Sequence, residues 1–494
     1  MAEFLEKLHY YLLVWDKFVI PPLWLILEAV GIAAAVHALI HKRDPRSALG
    51  WTVVCLFFPG LGALFYLLFG VNRIQSRAQH WHSRGKWNFS KVPTGEPSNL
   101  DLASHTPSYD RATFWDLVRV SGSVSSLPLL KGNRFEVLYN GEMAYPKMLE
   151  AIAGAKRWIF LSTYIFETNQ TGLKFIQALE EAMKRGVEVR VLVDGVGTRY
   201  SKPHIQKLLK KSEIPYALFL PLSLSERSIH MNLRTHRKIM VVDGNIGFTG
   251  GMNIGDRHLV ELPENPNRTQ DVHFKIEGPI LGQLKEAFLL DWHFSRKETR
   301  DEDYPCESQE RGEALSRGII SGPNESVEKL KWIIGGAFNA AKDNVRVMTP
   351  YFIPDDAMTA AINTAAMRGV RVEIVLPGKN NLPYVKWASQ ALLEELLEYN
   401  VNVYYQPKPF AHSKFLVVDD FYCLIGSANL DPRSIRLNFE FNLEVYDTAL
   451  AGELIRHFDE TRARSKPLTL EYFEKRSFFR QLRDNTAKLF APYL

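Results

Sequence analysis

Two histidine and lysine motifs with identical spacing lie far apart in this sequence. In each, a lysine follows the histidine by two residues, an aspartate follows the lysine by five, and an asparagine follows the aspartate by ten. The two sets are His236, Lys238, Asp243 and Asn253, and His412, Lys414, Asp419 and Asn429. Residues two apart on a strand point to the same face. Each set therefore presents an imidazole and an ammonium group together.

The chemistry of these side chains suits an anionic phosphate. Two sets that meet across a pseudo-two-fold axis would surround one cavity with paired histidines, lysines and asparagines. Lysine supplies charge and asparagine supplies neutral donors, and both stabilise charge that develops on phosphoryl oxygens. One histidine can attack phosphorus while the other protonates the leaving alcohol. A lysine beside each histidine would repel a metal ion, so we expect neither a metal nor another cofactor.

A further carboxylate follows each set along the chain. Asp271 lies in the first half of the repeat, and Glu440 lies in the second. A carboxylate bonded to one imidazole nitrogen fixes the tautomer and stabilises the imidazolium. We predict that Asp271 and Glu440 orient the histidines. Surface or fold-stabilising charges are the alternative.

The same order of predicted elements precedes both motifs. A helix over 172–185 lies between strands 158–163 and 187–193, and a helix over 357–368 lies between strands 345–349 and 370–376. Strands that alternate with helices favour a mainly parallel sheet. We therefore predict an α/β fold with two pseudo-symmetric halves, 131–300 and 315–465, each with a mostly parallel sheet. The acidic segment 300–313 would join them.

Two apolar runs precede the repeat. Residues 18–40 carry Glu28 as their only formal charge, and residues 48–71 carry none. At about 1.5 Å per residue, each run is long enough for a bilayer core of about 30 Å. We predict an anchor over 1–73 with two transmembrane helices, followed by a linker over 74–130. A buried helical hairpin is the alternative, and a signal peptide fits poorly because a second apolar run follows the first.

Basic residues around the predicted anchor bear on its orientation. More of them flank the two runs than lie between them, which puts both termini and the catalytic part in the cytoplasm. The connecting turn is itself basic, so the opposite orientation stays open. At the other end, residues 466–494 form an amphipathic segment. Its aromatic and basic side chains suit a helix at a membrane interface or a helix packed on the catalytic core.

Composition excludes several classes of protein. The chain has 494 residues, of which 46% are hydrophobic, so it is globular rather than disordered. Its net charge is only +5, which argues against a nucleic-acid partner. The cysteines, Cys55, Cys306 and Cys423, are too far apart in sequence to indicate a disulfide framework or a metal motif.

The duplicated H-x-K-x4-D motif resembles that of the phospholipase D superfamily. More narrowly, the chain is similar to bacterial cardiolipin synthases. The similarity includes the phrases at 43–51 (RDPRSALGW), 66–70 (YLLFG) and 429–434 (NLDPRS). The resemblance implies two phospholipase D-like halves and a multi-pass enzyme of the bacterial inner membrane. It also implies phosphatidyl transfer between two phosphatidylglycerol molecules through a phosphohistidine, giving cardiolipin and glycerol without a nucleotide or a metal.

The resemblance also assigns roles to the motif residues. His236 would be the nucleophile and His412 the general acid and then base, although these roles could be exchanged. Phosphate would be held by Lys238, Lys414, Asn253 and Asn429. The aspartates Asp243 and Asp419 belong to the catalytic motifs and would mostly support structure and electrostatics. Gly251 stands where the second half has Ser427, which weakens the expectation that both halves contact phosphate equally.

Three other functions are alternatives to phosphatidyl transfer, two that use the same site and one that is not catalytic. A phospholipase-type hydrolase would replace the acceptor alcohol with water, and a membrane-tethered phosphodiesterase or nuclease would cleave another phosphodiester. A catalytically inactive scaffold is disfavoured by the intact histidines and lysines in both halves. The sequence leaves open the oligomeric state, a homo-oligomer included, and the acyl preference.

Overall fold

The computed structural model describes residues 20–42, 45–70, 111–125, 127–221, 233–262, 264–298, 304–306, 309–323 and 328–491. The chain forms two compact units, Met1–Ser83 and Arg84–Leu494. The first contains helices α1 (Ile20–His41), α2 (Pro45–Phe57) and α3 (Leu61–Phe65), then a π-helical turn at Tyr66–Gly70. Parts of the predicted anchor and linker, notably 1–19 and 71–110, lie outside the described residues.

Helix α1 is long and apolar enough to cross a membrane. Its segment Pro22–His41 is the one candidate span found in the part of the chain that the structure describes. The continuous helix predicted over 48–71 is wrong, because α2 ends at Phe57 and a new helix begins at Leu61. Pro59 lacks a backbone N–H group, and Gly60 adopts a positive φ of 79°, so the helix breaks there. Each fragment is shorter than a spanning helix.

A 15-stranded sheet runs through the second unit. Its first-half strands, with the short β7, are β1 (Leu130–Tyr139), β2 (Trp158–Thr163), β3 (Glu188–Asp194), β4 (Tyr216–Phe219), β5 (Ile239–Val242), β6 (Ile246–Gly250), β7 (Thr269–Gln270) and β8 (Val272–Glu277). The second-half strands are β9 (Ala314–Ser321), β10 (Asn344–Met348), β11 (Arg371–Pro377), β12 (Asn402–Gln406), β13 (Phe410–Ala411), β14 (Phe415–Val418), β15 (Tyr422–Gly426), β16 (Glu440–Tyr446) and β17 (Lys466–Pro467). Strands β7 and β13 form a separate parallel pair.

The order of strands in the large sheet shows the duplication. It runs β17-β12-β11-β10-β14-β15-β16-β9-β1-β8-β6-β5-β2-β3-β4. Read outwards from the antiparallel β9–β1 pair, the two arms repeat the same pattern, apart from the extra strand β17. The predicted pair of pseudo-symmetric α/β halves is therefore confirmed.

The prediction of a mostly parallel sheet is wrong. Within the large sheet, parallel pairing is confined to β2–β3–β4 and β10–β11–β12, and its other pairs are antiparallel. Parallel neighbours need a crossover helix, whereas antiparallel ones can be joined by a tight turn. The motif strands β5 and β14 each return through such a turn into β6 and β15.

Twelve helices of the described part of the second unit connect or flank these strands. They are α4 (Arg111–Val124), α5 (Asn140–Gly154), α6 (Gln170–Lys184), α7 (Ile205–Lys211), α8 (Leu281–Arg296), α9 (Lys329–Ala340), α10 (Asp356–Met367), α11 (Pro383–Glu398), α12 (Pro432–Arg436), α13 (Thr448–Ala463), α14 (Leu470–Glu474) and α15 (Phe478–Leu489). The two predicted crossover helices, α6 and α10, start alike. The side chains of Asn169 and Asp355 accept a backbone hydrogen bond three residues on, which satisfies an N–H group that the helix leaves unpaired.

Each half has its own apolar core. In the first, Phe175, Ile176 and Leu179 of α6 are buried with apolar residues of β2 and β3. Leu179 follows Phe175 by four residues and Ile176 by three, which places the three side chains on one helix face. In the second, Ile362 of α10 lies in a cluster with Val347 and Ile374. The cores fix the strands from whose ends the motif residues project.

Candidate active site

The four motif histidines and lysines are buried at corresponding places in the two halves. His236 and Lys238 immediately precede β5, and His412 and Lys414 lie between β13 and β14. Each of the four residues is less than a tenth exposed. Lys238 Nζ donates a hydrogen bond to the carbonyl oxygen of its own motif histidine, at 2.7 Å, and Lys414 Nζ does the same at 2.5 Å. The ammonium groups are thereby held against the imidazoles.

Each histidine contacts a carboxylate that comes from the other half. His236 Nδ1 lies 3.1 Å from Glu440 Oε2, and His412 Nδ1 lies 2.8 Å from Asp271 Oδ2. The two carboxylates are fully buried or nearly so. Both predicted orienting residues therefore lie at the site, although each belongs to the half that does not supply its histidine.

Backbone hydrogen bonds produce this exchange. His236 N donates to Phe439 O at 2.8 Å, directly before Glu440. In the other direction, β13 pairs with β7, and His412 N donates to Gln270 O at 2.7 Å, directly before Asp271. Each histidine segment is thus bonded, as a short parallel pairing, to the segment that carries its carboxylate.

The hydrogen-bond partners of His236 define its tautomer. Besides Glu440, its Nδ1 lies 3.0 Å from the carbonyl oxygen of Ser427. Both neighbours are acceptors, so Nδ1 carries the hydrogen and Nε2 keeps its lone pair. The Ser427 hydroxyl donates to Glu440 Oε2 at 2.5 Å, and Asn438 Nδ2 donates to Oε1 at 3.2 Å. Burial alone would raise the pKa of Glu440, but His236, Lys238 and Ser427 hold that pKa below its usual value.

The second half-site is built differently. Burial raises the pKa of Asp271, with Lys414 opposing the shift. Lys414 Nζ also lies 2.8 Å from His412 Nδ1 and 3.1 Å from His412 Nε2. Gly251, the counterpart of Ser427, leaves the space that Asp271 occupies, because a Cβ atom there would lie 2.2 Å from Asp271 Oδ1. The absence of a side chain at Gly251 therefore makes room for the carboxylate of Asp271, whose side chain is shorter than that of its counterpart Glu440.

The electrostatics of the site favour an anion. Burial lowers the pKa of His236, and burial together with Lys414 and Lys238 lowers that of His412 well below its usual value. Burial also lowers the pKa of Lys238 to about 7 and that of Lys414 to about 8. Desolvation destabilises each cation, and nearby cations add to this cost. A bound phosphate would stabilise all of these groups in their charged forms.

The two motif asparagines are both buried but have different partners. Asn253 Oδ1 accepts a hydrogen bond from Ile165 N at 3.0 Å, so its amide N–H groups are directed elsewhere. Asn429 Nδ2 donates to Ser434 Oγ at 3.1 Å. The structure thus places both asparagines beside the motif strands without making their environments equal.

The motif aspartates Asp243 and Asp419 lie at the other ends of β5 and β14 from the histidines. The carboxylate of Asp243 accepts backbone hydrogen bonds from residues 156, 157 and 158 at the start of β2. Asp419 makes the equivalent three bonds to residues 342, 343 and 344 at the start of β10. They are positioning residues, because they fasten the strands and not a reacting group.

Sequence reasoning missed the aromatic wall of the site. The ring of Tyr164 lies 5.5 Å from that of His236, and Tyr351 lies 6.1 Å from His412. Lys238 Nζ is 5.8 Å from the Tyr164 ring centroid. Both tyrosines follow the first parallel strand of their half, β2 or β10. Side chains beyond the carboxyl ends of parallel strands commonly line ligand sites, and this signal was available in the sequence.

Fold and site together define a duplicated phospholipase D-like α/β protein. The solved structure of phosphatidylserine synthase from Haemophilus influenzae Rd KW20 shares this fold, with a TM-score of 0.59 and 18% identity over 76% of this chain and 100% of that chain. A family model described as the cardiolipin synthase, PLD-like domain matches residues 148–292 and 335–462. One described as the phospholipase D-nuclease N-terminal region matches 29–70.

Full-length relatives narrow the class. A cardiolipin synthase of Clostridium perfringens (strain SM101 / Type A) is 30% identical, covering 92% of this chain and 96% of its own. The major cardiolipin synthase of Bacillus subtilis (strain 168) is also 30% identical, and the match covers 94% of this chain and 97% of that protein. A cardiolipin synthase of Alkalihalophilus pseudofirmus is 32% identical, and the match covers 94% of this chain and 92% of that protein. The chain belongs to the cardiolipin synthase family, which confirms the predicted family and enzyme class.

Proposed function

We propose that the protein makes cardiolipin by phosphatidyl transfer between two phosphatidylglycerol molecules. The observation that carries this proposal is the pairing of two buried imidazoles, each backed by a carboxylate from the opposite half. Two imidazoles supply a nucleophile and a proton carrier, which a double displacement at phosphorus needs. The two buried lysines that flank the imidazoles give the site its preference for a phosphodiester anion, because a bound anion stabilises their charged forms.

In the first step, His236 Nε2 attacks the phosphorus of one phosphatidylglycerol. A P–N bond forms, the P–O bond to the headgroup glycerol breaks, and His412 gives its proton to the departing oxygen. In the second step, His412 takes a proton from the terminal hydroxyl of the second phosphatidylglycerol. That oxygen attacks phosphorus, the P–N bond breaks, and cardiolipin forms. Glycerol is the only other product.

The differences between the half-sites support this division of roles. His236 has its hydrogen on Nδ1, facing the ionised Glu440, which stabilises the positive ring of a phosphohistidine. In the part of the chain that the structure describes, no hydrogen bond engages His236 Nε2, whereas Lys414 lies close to His412 Nε2. A bound phosphodiester offsets the charge of Lys414, so His412 can then hold the proton that it transfers.

Substrate phosphate is held, in this proposal, by both lysines and by the amide groups of Asn253 and Asn429. Preorganised donors of this kind stabilise charge on the phosphoryl oxygens as the bonds exchange. Tyr164 and Tyr351 close the sides of the site next to the two histidines. The residues of the site need no metal in this scheme, because the lysines supply the positive charge.

The anchor, in the same proposal, crosses the bacterial inner membrane twice and keeps the catalytic unit in the cytoplasm. Helix α1 forms the first crossing, and residues 45–70 form the second with a break at Pro59 and Gly60. The break packs on α1, since a Cβ atom at Gly60 would lie 2.6 Å from Leu27 Cδ2. Broken helices are tolerated in membranes where protein covers the irregular backbone. Large apolar side chains such as Phe57 and Leu61 are exposed on this segment.

The domain limits proposed from the sequence follow the same plan: an anchor over 1–73, a linker over 74–130, halves over 131–300 and 315–465, and a C-terminal segment over 466–494. The antiparallel pairing of β1 with β9 supports treating the two halves as one catalytic body. Either half expressed alone would lack the carboxylate that the other half supplies to its histidine.

The test supplies purified full-length protein with phosphatidylglycerol alone. Cardiolipin and free glycerol in equal amounts are expected. Phosphatidic acid as the sole lipid product would show a hydrolase instead. His236→Ala and His412→Ala should each abolish turnover, while His293→Ala, which removes an imidazole of α8 outside the site, should retain it. Full activity of either motif variant would refute the assignment.

A further inference from the structure

The C-terminal helix α15 exposes an unusual amount of apolar surface. Five large side chains on it, or directly after it, are each more than half exposed: Phe478, Phe479, Leu482, Leu489 and Phe490. At 3.6 residues per turn, Phe478, Leu482 and Leu489 lie within one narrow stripe, with Phe479 and Phe490 beside it. A cluster of this size on a globular surface marks an interaction site.

The opposite side of α15 fastens the helix to the catalytic unit. Ala487 packs with Ala491 against a buried cluster that includes Val385 and Ala388 of α11. Asp484 is 1% exposed and pairs with Arg476, which also pairs with Glu394 of α11. The exposed apolar stripe therefore points away from a face that is already bound, and the described residues of the catalytic unit leave it uncovered.

Cationic side chains lie to either side of the apolar stripe, Arg483 on one side and Lys488 on the other. Residues 475–491 contain five lysines and arginines and one acidic residue, Asp484, whose carboxylate is buried in ion pairs. Arg480 and Lys488 lie on the exposed surface of the helix, and Arg483 extends over the ring of Trp387, 4.8 Å from its centroid. An apolar stripe edged by positive charge matches the boundary between acyl chains and anionic headgroups.

We infer that α15 docks the catalytic unit onto an anionic lipid bilayer, with the helix lying in the plane of the interface. Phe478, Phe479, Leu482, Leu489 and Phe490 would enter the acyl boundary. A second copy of this chain is a poorer occupant, because its own cations would face these at short range. This docking surface goes beyond the proposed reaction and does not depend on it.

The docking surface is connected to the active site through few residues. The cluster beneath α15 also contains Ile353, and Tyr351 packs against it. The Tyr351 ring in turn lies 6.1 Å from that of His412. Docking at α15 would therefore hold the His412 side of the site near the headgroups, where a phospholipid can enter without leaving the bilayer completely.

The test uses full-length protein reconstituted in vesicles, with a bimane probe on Leu482→Cys. Cys306→Ser removes the partly exposed native thiol, since Cys55 and Cys423 are buried. The matched control carries the probe on Leu173→Cys, because Leu173 of α6 is similarly exposed, 49% against 53%. Lipids brominated on the acyl chains, in mixed phosphatidylglycerol and phosphatidylcholine vesicles, should quench the probe at 482 and leave that at 173 bright.

The second part of the test changes the charge of the helix and of the lipid. Lys488→Gln should lower the ratio of docked to undocked helix about fivefold, from about 1 kcal/mol per basic residue near an anionic surface. Pure phosphatidylcholine vesicles should reduce quenching at 482 in the same way. The labelled His236→Ala chain should dock like its parent, so loss of catalysis and loss of docking are distinguishable.

Three results would overturn the inference. One is an unquenched probe at 482 in anionic vesicles, and another is equal quenching at 482 and 173. The third is a spectral change at 482 that follows protein density rather than bromolipid content, which would assign the stripe to a second copy of the chain. Unchanged near-ultraviolet circular dichroism of each labelled protein verifies that the helix is still folded on its support.

Discussion

His412 Nδ1 lies 2.8 Å from Asp271 Oδ2, although 141 positions separate the two residues in the chain. The reciprocal contact joins His236 to Glu440 across 204 positions. Each half therefore lacks a part of its own site and completes that of the other. An isolated half would leave its histidine without an orienting carboxylate. The duplication has produced one interdependent site rather than two adjacent copies.

The division of labour between the histidines predicts which covalent intermediate can be trapped. His412→Ala removes the proton carrier of both steps, and the second step, which must activate a lipid hydroxyl, suffers most. With phosphatidylglycerol labelled in its acyl chains, rapid quenching should recover a phosphatidyl group on the peptide that contains His236. Mass spectrometry of the digest identifies the modified residue.

The control for this trap is the reversed variant. His236→Ala should yield no labelled peptide, because no other imidazole faces phosphorus with a free Nε2 lone pair in the proposed scheme. A label on His412 in that variant would exchange the two roles while leaving the reaction itself intact.

The lowered pKa values of the lysines predict how pH affects phosphate binding. Lys238 loses its proton near pH 7 and Lys414 near pH 8 in the empty site. An anion binds best to the charged lysines, so affinity for inorganic phosphate should fall as pH rises through this range, by up to about tenfold per unit for each group. Calorimetric titration at several pH values measures the slope, and Lys238→Met should flatten its lower part.

Stability should respond to pH in the opposite sense. A lysine whose pKa is about 7 when folded and 10.5 when unfolded binds fewer protons in the folded state between these values. The free energy of unfolding of the empty protein should therefore rise with pH across that window. A Lys238→Met chain that keeps the full pH dependence of wild type would contradict the shifted pKa.

Much of this site follows from the sequence because its signals are local. The motif spacing, the strand and helix order before each motif, and the caps at Asn169 and Asp355 depend on neighbours in the chain. The family also follows from contiguous phrases. The break at Pro59 and Gly60 was equally local, since a Pro-Gly pair is a turn signal, but the apolar run obscured it.

Other features depend on long-range packing and could not be derived from spacing. Asp271 and Glu440 were predicted as orienting residues, yet the sequence does not say that each serves the other half. That choice is made by the β7–β13 pairing and by the bond from His236 N to Phe439 O. The antiparallel character of the sheet likewise depends on which strands become neighbours, and this is set by the complete fold.

The motif aspartates are predicted to affect stability more than chemistry. Asp419→Ala leaves three backbone N–H groups at the start of β10 without their part-buried acceptor. The expected loss is about 2–4 kcal/mol in the free energy of unfolding, with a turnover rate of the remaining folded protein within about tenfold of wild type. Denaturant unfolding and active-site titration separate the two quantities.

Asp419→Asn is the matched control, because it keeps one carbonyl acceptor and tolerates the positive φ of 42° at this position. It should be less destabilising than alanine. A thousandfold loss of turnover in stable Asp419→Asn protein would instead give the aspartate a direct part in catalysis.

The glycine at 251 should be intolerant of the serine that its counterpart carries. A Cβ atom at this position would lie 2.2 Å from Asp271 Oδ1 and 2.7 Å from Oδ2, so Gly251→Ser must displace the carboxylate that orients His412. Activity should fall by about 10² or more, the contribution typical of a positioned proton carrier. Ser427→Gly is the matched exchange in the other half. It removes the hydroxyl that donates to Glu440 and accepts from Phe441 N. A hydrogen bond to a charged group is worth about 1.5–3 kcal/mol, so activity should fall about tenfold to a hundredfold. A Gly251→Ser enzyme with wild-type turnover would mean that Asp271 can move without cost, and its role in orienting His412 would then be lost.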